Sequence, residues 1–157
     1  MFTKYLLVFF ISMVPLIELR GAIPVGVGMD LNYWECLVIC VIGNMLPVPV
    51  IYFFARKVLI WGAGKKYIGK FFTFCLDKGE RAGRRLTRTA GRKGLFFAIL
   101  IFVGIPLPGT GAWTGTLAAS FLNMGIKSTA LSVSLGVVLA GIIMAVGSTG
   151  VLAVFGL

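Results

Sequence analysis

Two ionisable side chains stand inside apolar sequence, two residues apart in the stretch Glu18-Leu19-Arg20-Gly21-Ala22-Ile23-Pro24. A lone charge in hydrocarbon costs at least a few kcal/mol, so Glu18 and Arg20 must pair or work. Either they form a compensating ion pair that holds a loop, or they divide labour. In the second case the Arg20 guanidinium binds an anionic headgroup such as a phosphate, while the Glu18 carboxyl takes up and releases a coupling proton.

A second stretch offers chemistry without charge. Ile105-Pro106-Leu107-Pro108-Gly109-Thr110-Gly111-Ala112-Trp113-Thr114-Gly115 lies in an apolar run yet contains two prolines and three glycines. Proline removes a donor and clashes with the preceding turn, and glycine frees the backbone, so a broken helix is expected. Non-helical backbone at membrane depth survives only where it is buried in protein or lines a watery cavity. N–H groups freed around Pro106, Pro108, Gly109 and Gly111, with the hydroxyls of Thr110 and Thr114, form a candidate cradle for a substrate or ion, and half-helix ends supply the field. Trp113 either gates that cavity or packs. The bland alternative for the whole motif is a tight helix crossing that needs glycine. Gly21, Pro24 and Asn44 complete the candidate binding set in the first half of the chain.

These stretches are carried by a membrane protein. Of 157 residues 59% are hydrophobic and 13% charged, and the mean hydropathy is +1.00, well beyond the range of a soluble domain. The charge is concentrated: residues 56–93 hold twelve of the fifteen basic residues and two of the five acids, hence the whole net charge of +10. Under the positive-inside rule that segment is cytoplasmic. In it Arg81, Arg84, Arg85, Arg88 and Arg92 recur at helical intervals, and Tyr67-Ile68, Phe71-Phe72 and Cys75-Leu76 alternate with Lys65, Lys66 and Lys70 in the manner of an amphipathic helix at headgroup level. The basic stripe either anchors topology or draws anionic lipid headgroups, with Arg81, Arg84, Arg85 and Arg88 as their contacts. Topology already accounts for this charge, so no nucleic-acid partner is expected.

Histidine is absent, which removes imidazole relays, His-activated nucleophiles and imidazole metal ligands. Cys36 and Cys40 share a helical face and read as small buried hydrophobes, so neither a metal nor a cofactor is expected. Glu18 and Arg20 occupy the place of a small-residue cleavage site, so no cleavable signal peptide is expected. The glycines of 109–115 have the wrong spacing for a dinucleotide fingerprint, and no Lys-Ser/Thr follows to make a P-loop. With one carboxylate in apolar sequence, an enzyme is the least expected class.

The order of segments repeats. Residues 5–14 are apolar, Pro15 and the Glu18–Pro24 stretch interrupt, residues 25–29 resume, Asp30 and Glu35 mark a turn, and Cys36–Ala55 crosses with a kink at Pro47-Val48-Pro49. Residues 94–105, the second break, 116–121, a turn over 123–128 and a closing span from Leu131 follow the same plan. Gly136/Ala140 and Gly141/Ala145 are spaced for close helix contact. A limb of roughly ten residues spans about 15 Å, half of the ~30 Å hydrocarbon layer. The expected fold is therefore one all-α membrane domain over 1–157: repeat one 1–55, a basic cytoplasmic amphipathic loop 56–93, and repeat two 94–157. Each repeat is a re-entrant helical hairpin plus a transmembrane helix. The halves are inverted, with tips meeting near the midplane. The competing topology makes 5–29 and 95–123 kinked full crossings.

The two stretches in combination resemble the small multidrug export proteins of bacteria and archaea, and the likeness runs through nearly the whole chain. That family is considered a distant relative of the DedA membrane proteins, which carry acidic and arginine-bearing re-entrant loops and are implicated in flipping undecaprenyl phosphate and other anionic lipids. The resemblance implies an inner-membrane protein in which Glu18 and Arg20 correspond to the acid and base of the first loop. In the second loop, where DedA proteins place arginines, this chain has Thr110, Trp113 and Thr114. The expected function is a secondary transporter or flippase for an anionic lipid or lipid phosphate. The alternatives are small-molecule or ion export, or a membrane scaffold that binds anionic lipid. Membrane lipids and a second copy of the chain are the expected partners.

In a cysteine-free background, a probe at Asn32 is expected to label only from outside and one at Asn123 only from the cytoplasm. Labelling of the Asn32 probe from the cytoplasm would make the first segment a crossing and remove the opposed tips.

Overall fold

In the computed structural model both interruptions become short breaks between helices. The structure describes residues 2–15, 17–107 and 109–155, with the backbone alone at residues 75, 76, 79, 82, 86 and 148–155. The helices are α1 (Phe2–Met13), α2 (Glu18–Gly28), α3 (Tyr33–Met45), α4 (Pro47–Ala63), α5 (Gly69–Gly104), α6 (Ala112–Phe121) and α7 (Ile126–Phe155). Two stretches are long and apolar enough to cross a membrane, Tyr33–Ala63 and Ile126–Gly147. The first, α3 with α4, is interrupted at Leu46. Pro47 sits at the first position of α4, where a helix needs no donor, so the chain turns there without a large loss.

Several boundaries differ from the sequence expectation. The first span runs past Arg56 and Lys57 to Ala63, because long basic side chains at a helix end can reach outward while the helix continues. The basic segment is a helix over most of its length: α5 starts at Gly69, leaving Tyr67 and Ile68 in the preceding turn, and bends at Gly91, whose φ of 69° suits glycine. The side chains of Cys75 and Leu76 lie outside the described residues. Both breaks are shorter than expected. Helix α2 already begins at Glu18 and keeps Gly21 and Pro24 within it, and α6 begins at Ala112 and includes Trp113 and Thr114.

The short helices double back. Helix α1 packs against α2, and the N-terminal limb of one meets the far end of the other: Lys4 Nζ donates to the Met29 carbonyl at 2.7 Å. Tyr5 donates to the Glu35 carboxylate at the same end. Helix α6 likewise packs against α5. Its far end meets α4, where Arg56 Nη1 donates to Asn123 Oδ1 at 2.7 Å and Tyr52 Oη to the Met124 carbonyl at 2.5 Å.

The two halves match at a spacing of 93 residues. Asp30 and Asn123 adopt left-handed φ values of 63° and 57°. Each closes its helix in the same way: Leu31 N–H donates to Gly26 O, and Met124 N–H to Ala119 O, the six-to-one bond of a Schellman cap, with the buried Leu31 and Met124 as its apolar plugs. Gly43 and Gly136 are also 93 apart. A Cβ at Gly43 would lie 2.8 Å from the Phe9 carbonyl oxygen, and one at Gly136 2.8 Å from that of Leu100, so in each half the long helix closes on the first limb at a glycine.

The interior holds several polar groups within an apolar core, and much of the exterior is apolar as well. Ser12, Glu18, Asn44, Thr116, Ser120, Thr129 and Ser132 are buried, whereas Phe10, Val50, Phe53, Phe54, Ile101 and Leu131 are exposed. That distribution suits a solvent of lipid tails, in which apolar side chains gain little from burial and polar ones must find protein partners.

Gly136→Ala is expected to destabilise the fold by about 1–3 kcal/mol through overpacking against Leu100 and Val103. Gly147→Ala, where nothing lies within 4 Å of the added methyl, should be neutral or slightly stabilising. Thermal unfolding of the two variants in detergent distinguishes them; equal melting temperatures would refute the close contact.

Candidate functional site

Each break leaves carbonyls at the end of one helix and N–H groups at the start of the next, and the two sets are satisfied across the junction. Glu18 opens α2 in a left-handed conformation, φ 50°, which costs a non-glycine residue about 1–2 kcal/mol. Its buried carboxylate accepts from Ala112 N–H at 3.2 Å and Trp113 N–H at 3.1 Å. Those are the first N–H groups of α6, the positive end of its dipole. Charge-assisted bonds of this kind offset the strain.

Arg20 serves the opposite helix end. Its Nη2 donates to the carbonyls of Val103 (3.2 Å), Ile105 (3.1 Å) and Thr110 (3.1 Å) and to Thr110 Oγ1 (3.1 Å), and its Nη1 donates to Leu107 O. The guanidinium complements the negative end of α5, and the two N–H groups of Nη2 are shared among its four acceptors. The compensating Glu18–Arg20 ion pair, one of the two readings of these residues, is therefore not formed. Each charge holds one side of the second break instead.

The reciprocal contact comes from Trp113, whose indole Nε1 donates to Met13 O at 3.2 Å, the last carbonyl of α1. Arg20 and Trp113 are 93 residues apart, and each caps the first limb of the other half. The indole thus packs and caps. Asn44, buried in α3, bridges the first break: with its amide nitrogen toward Ser12 O, its oxygen accepts from Leu19 N–H at 3.2 Å.

Among the other candidates, Gly111 is enclosed by the Glu18 carboxylate, which a Cβ there would overlap. Gly109 takes φ 87°, which makes glycine the suitable residue. Thr110 Oγ1 lies 2.8 Å from the carbonyls of Ile105 and Leu107, and Thr114 Oγ1 donates to Gly111 O at 3.2 Å. Pro106 is in the break, half-buried. Pro108 lies outside the described residues. Gly21 and Pro24 are in α2; Pro24 faces outward and Gly21 is close to Ile17, so neither joins the junction. Arg81, Arg84, Arg85 and Arg88 are exposed along α5, with Arg84 paired to Glu80 at 2.9 Å. Sequence reasoning passed over Ser12, Met13 and the carbonyls of Val103, Ile105 and Leu107. Ser12, a lone hydroxyl in an apolar run, was the available signal.

Glu18, Arg20, Asn44 and Gly111, with Val103 and Val137 as apolar walls, enclose a cavity of about 10 Å³, space for about one water molecule.

The model of the family described as "Putative small multi-drug export protein" matches residues 18–143, from the Glu18 tip well into α7. No curated protein and no solved structure matches the chain.

Gly111→Ala is expected to displace the Glu18 carboxylate and lower stability by about 1–3 kcal/mol. Because Glu18→Ala removes the same contact, the double variant should be no worse than the poorer single one. Additive losses in thermal unfolding would separate the two residues.

Proposed function

The chain belongs to this family of export proteins, and from that premise we propose that it is a secondary transporter working by alternating access at the paired tips. Its substrate is an anionic lipid or lipid phosphate, of the undecaprenyl phosphate type, and its coupling ion a proton. The observation that carries the reading is the Glu18 carboxylate seated on the first N–H groups of α6. That is an anion-binding surface occupied by the protein's own anion. Protonation of Glu18 removes the charge that holds it there, and a phosphate then takes the vacated N–H groups with Arg20 beside it. Departure of the phosphate lets the carboxylate return. The exchange couples one proton to one anion.

The size of the junction supports a lipid substrate. A space for about one water molecule must open to admit anything, and a lipid needs to insert only its headgroup while its chains stay in the bilayer. The exposed apolar faces of α1 and α4 leave room for such chains.

In this reading the short helices are re-entrant and the halves inverted. The contact of Lys4 with Met29 lies at the outer face, and that of Arg56 with Asn123 at the cytoplasmic face of an inner membrane, which is also the side the basic segment takes under the positive-inside rule. The matching caps at Asp30 and Asn123, and the matching contacts at Gly43 and Gly136, support an internal repeat. The family description favours a second reading, export of a small molecule through the same tips.

In proteoliposomes containing an NBD-labelled polyprenyl phosphate, dithionite bleaching should report exchange between leaflets that accelerates with an imposed pH gradient. Glu18→Gln is expected to lose the gradient dependence and Arg20→Ala to slow exchange at least about tenfold, the loss of a charge-assisted contact. Full activity of both variants would overturn the lipid-phosphate mechanism. Gradient-driven efflux of an entrapped dye without lipid exchange would favour the small-molecule reading.

A further inference from the structure

Between the end of α4 and the start of α5 lies a cleft of about 500 Å³ that shares no residue with the junction of the tips. Lys65, Lys66, Lys70, Thr73, Phe74 and Asp77 line it, so three ammonium groups face one carboxylate. The surrounding surface is aromatic: Trp61, Tyr67, Phe71 and Phe74 are all exposed. Lys65 Nζ stands 4.4 Å from the centre of the Trp61 ring, and Lys78 Nζ 5.6 Å from that of Phe74. Exposed aromatic rings interleaved with lysines are the composition of the headgroup level of a bilayer.

The position along the chain agrees. Trp61 falls near the end of the 31-residue span Tyr33–Ala63, which at about 1.5 Å per residue is longer than the ~30 Å hydrocarbon layer. The cleft therefore follows the point where the chain leaves hydrocarbon. We propose that it binds the phosphodiester headgroup of an anionic glycerophospholipid, a resident lipid separate from any transported one. Lysines act as compact point charges suited to a monoanionic phosphodiester. Thr73 and Asp77 face the same space, and the Asp77 carboxylate accepts from hydroxyls of the headgroup while repelling a dianionic free phosphate. The arginine stripe differs from it. Arg81, Arg84, Arg85 and Arg88 line no part of this cleft, and Arg84 is already paired with Glu80, so they contribute only a general attraction to an anionic surface.

The test uses the full chain in nanodiscs of phosphatidylcholine with a minor fraction of phosphatidylglycerol carrying brominated acyl chains, and reads quenching of tryptophan fluorescence. Trp34→Phe and Trp113→Phe leave Trp61 as the reporter. Wild-type lysines should give quenching far above that from brominated phosphatidylcholine at equal fraction. Combined replacement Lys65→Gln, Lys66→Gln and Lys70→Gln should weaken the phosphatidylglycerol preference about tenfold or more, while Arg81→Gln, Arg84→Gln, Arg85→Gln and Arg88→Gln together preserve it. All seven side chains are exposed, and because Trp113→Phe removes the indole bond to Met13 O, thermal unfolding of the Trp34→Phe, Trp113→Phe background first establishes that it is folded. Equal loss in the two sets would reduce the cleft to diffuse attraction. Displacement by millimolar inorganic phosphate would make it a free-anion site, and absence of any preference in the wild type would remove it. Because the readout involves no transport, the reading of the tips can fail while this one stands.

Discussion

Backbone donors and acceptors that leave a helix in apolar surroundings have to be satisfied by protein, and the arrangement of this chain follows from that constraint. Two breaks create two sets of orphaned groups, and neither half satisfies its own set unaided. The N–H groups at the start of α6 go to Glu18, the carbonyls at the end of α5 to Arg20, and the last carbonyl of α1 to Trp113. Each half adds help of its own: Asn44 bridges Ser12 O and the start of α2, and Thr110 Oγ1 donates toward the carbonyls of Ile105 and Leu107. The tips are thereby obliged to meet, and the charges that make them meet are the ones to which the proposed exchange with a ligand is assigned.

The rest of the fold contrasts with this junction. At the outer ends of α2 and α6 the chain is held by main-chain caps with buried apolar plugs, and at Gly43 and Gly136 by direct approach of backbones. Those caps and crossings are made by main-chain groups, with Lys4, Tyr5, Glu35 and Arg56 adding side-chain bonds at the same ends. The tips, by comparison, are held by side-chain bonds from four residues, Glu18, Arg20, Asn44 and Trp113, two of them charged, around a space for one water molecule. In the proposed reading the tips are the part that opens while the rim and the helix crossings hold, in keeping with binding elements drawn from the less stable part of a structure.

Much of this was legible in residue types. Prolines and glycines located both breaks, the rarity of charge in apolar sequence marked Glu18 and Arg20, and Asn44 stood out for the same reason. The extents of the breaks were not legible, since Gly21, Pro24 and Trp113 sit within helices once tertiary contacts hold them. Nor were the partners: a carbonyl such as that of Val103 or Met13 belongs to every residue alike, and nothing in composition announces which one a guanidinium or an indole will reach. The compensating ion pair, one of the two readings of Glu18 and Arg20, does not form, because helix ends from the other half compete for both side chains and offer two donors to one and five acceptors to the other. The order of segments recurred in the sequence, but the 93-residue pairing of individual residues did not show, as Asp30 and Asn123, or Arg20 and Trp113, share a role and not an identity.

Both charges of the junction belong to a single limb, two residues apart on α2. With Glu18 ionised and Arg20 charged, that limb is electrically neutral, and a voltage across the membrane exerts almost no net force on its movement. In the proposed cycle a proton on Glu18 is accompanied by the anion beside Arg20, so the loaded limb with a monoanionic ligand is neutral again. The limb that is protonated but has no ligand would alone bear a positive charge, for which full passage through the field is worth about 2.3 kcal/mol per 100 mV, so membrane voltage would act on uncoupled slippage and leave the two productive strokes almost untouched.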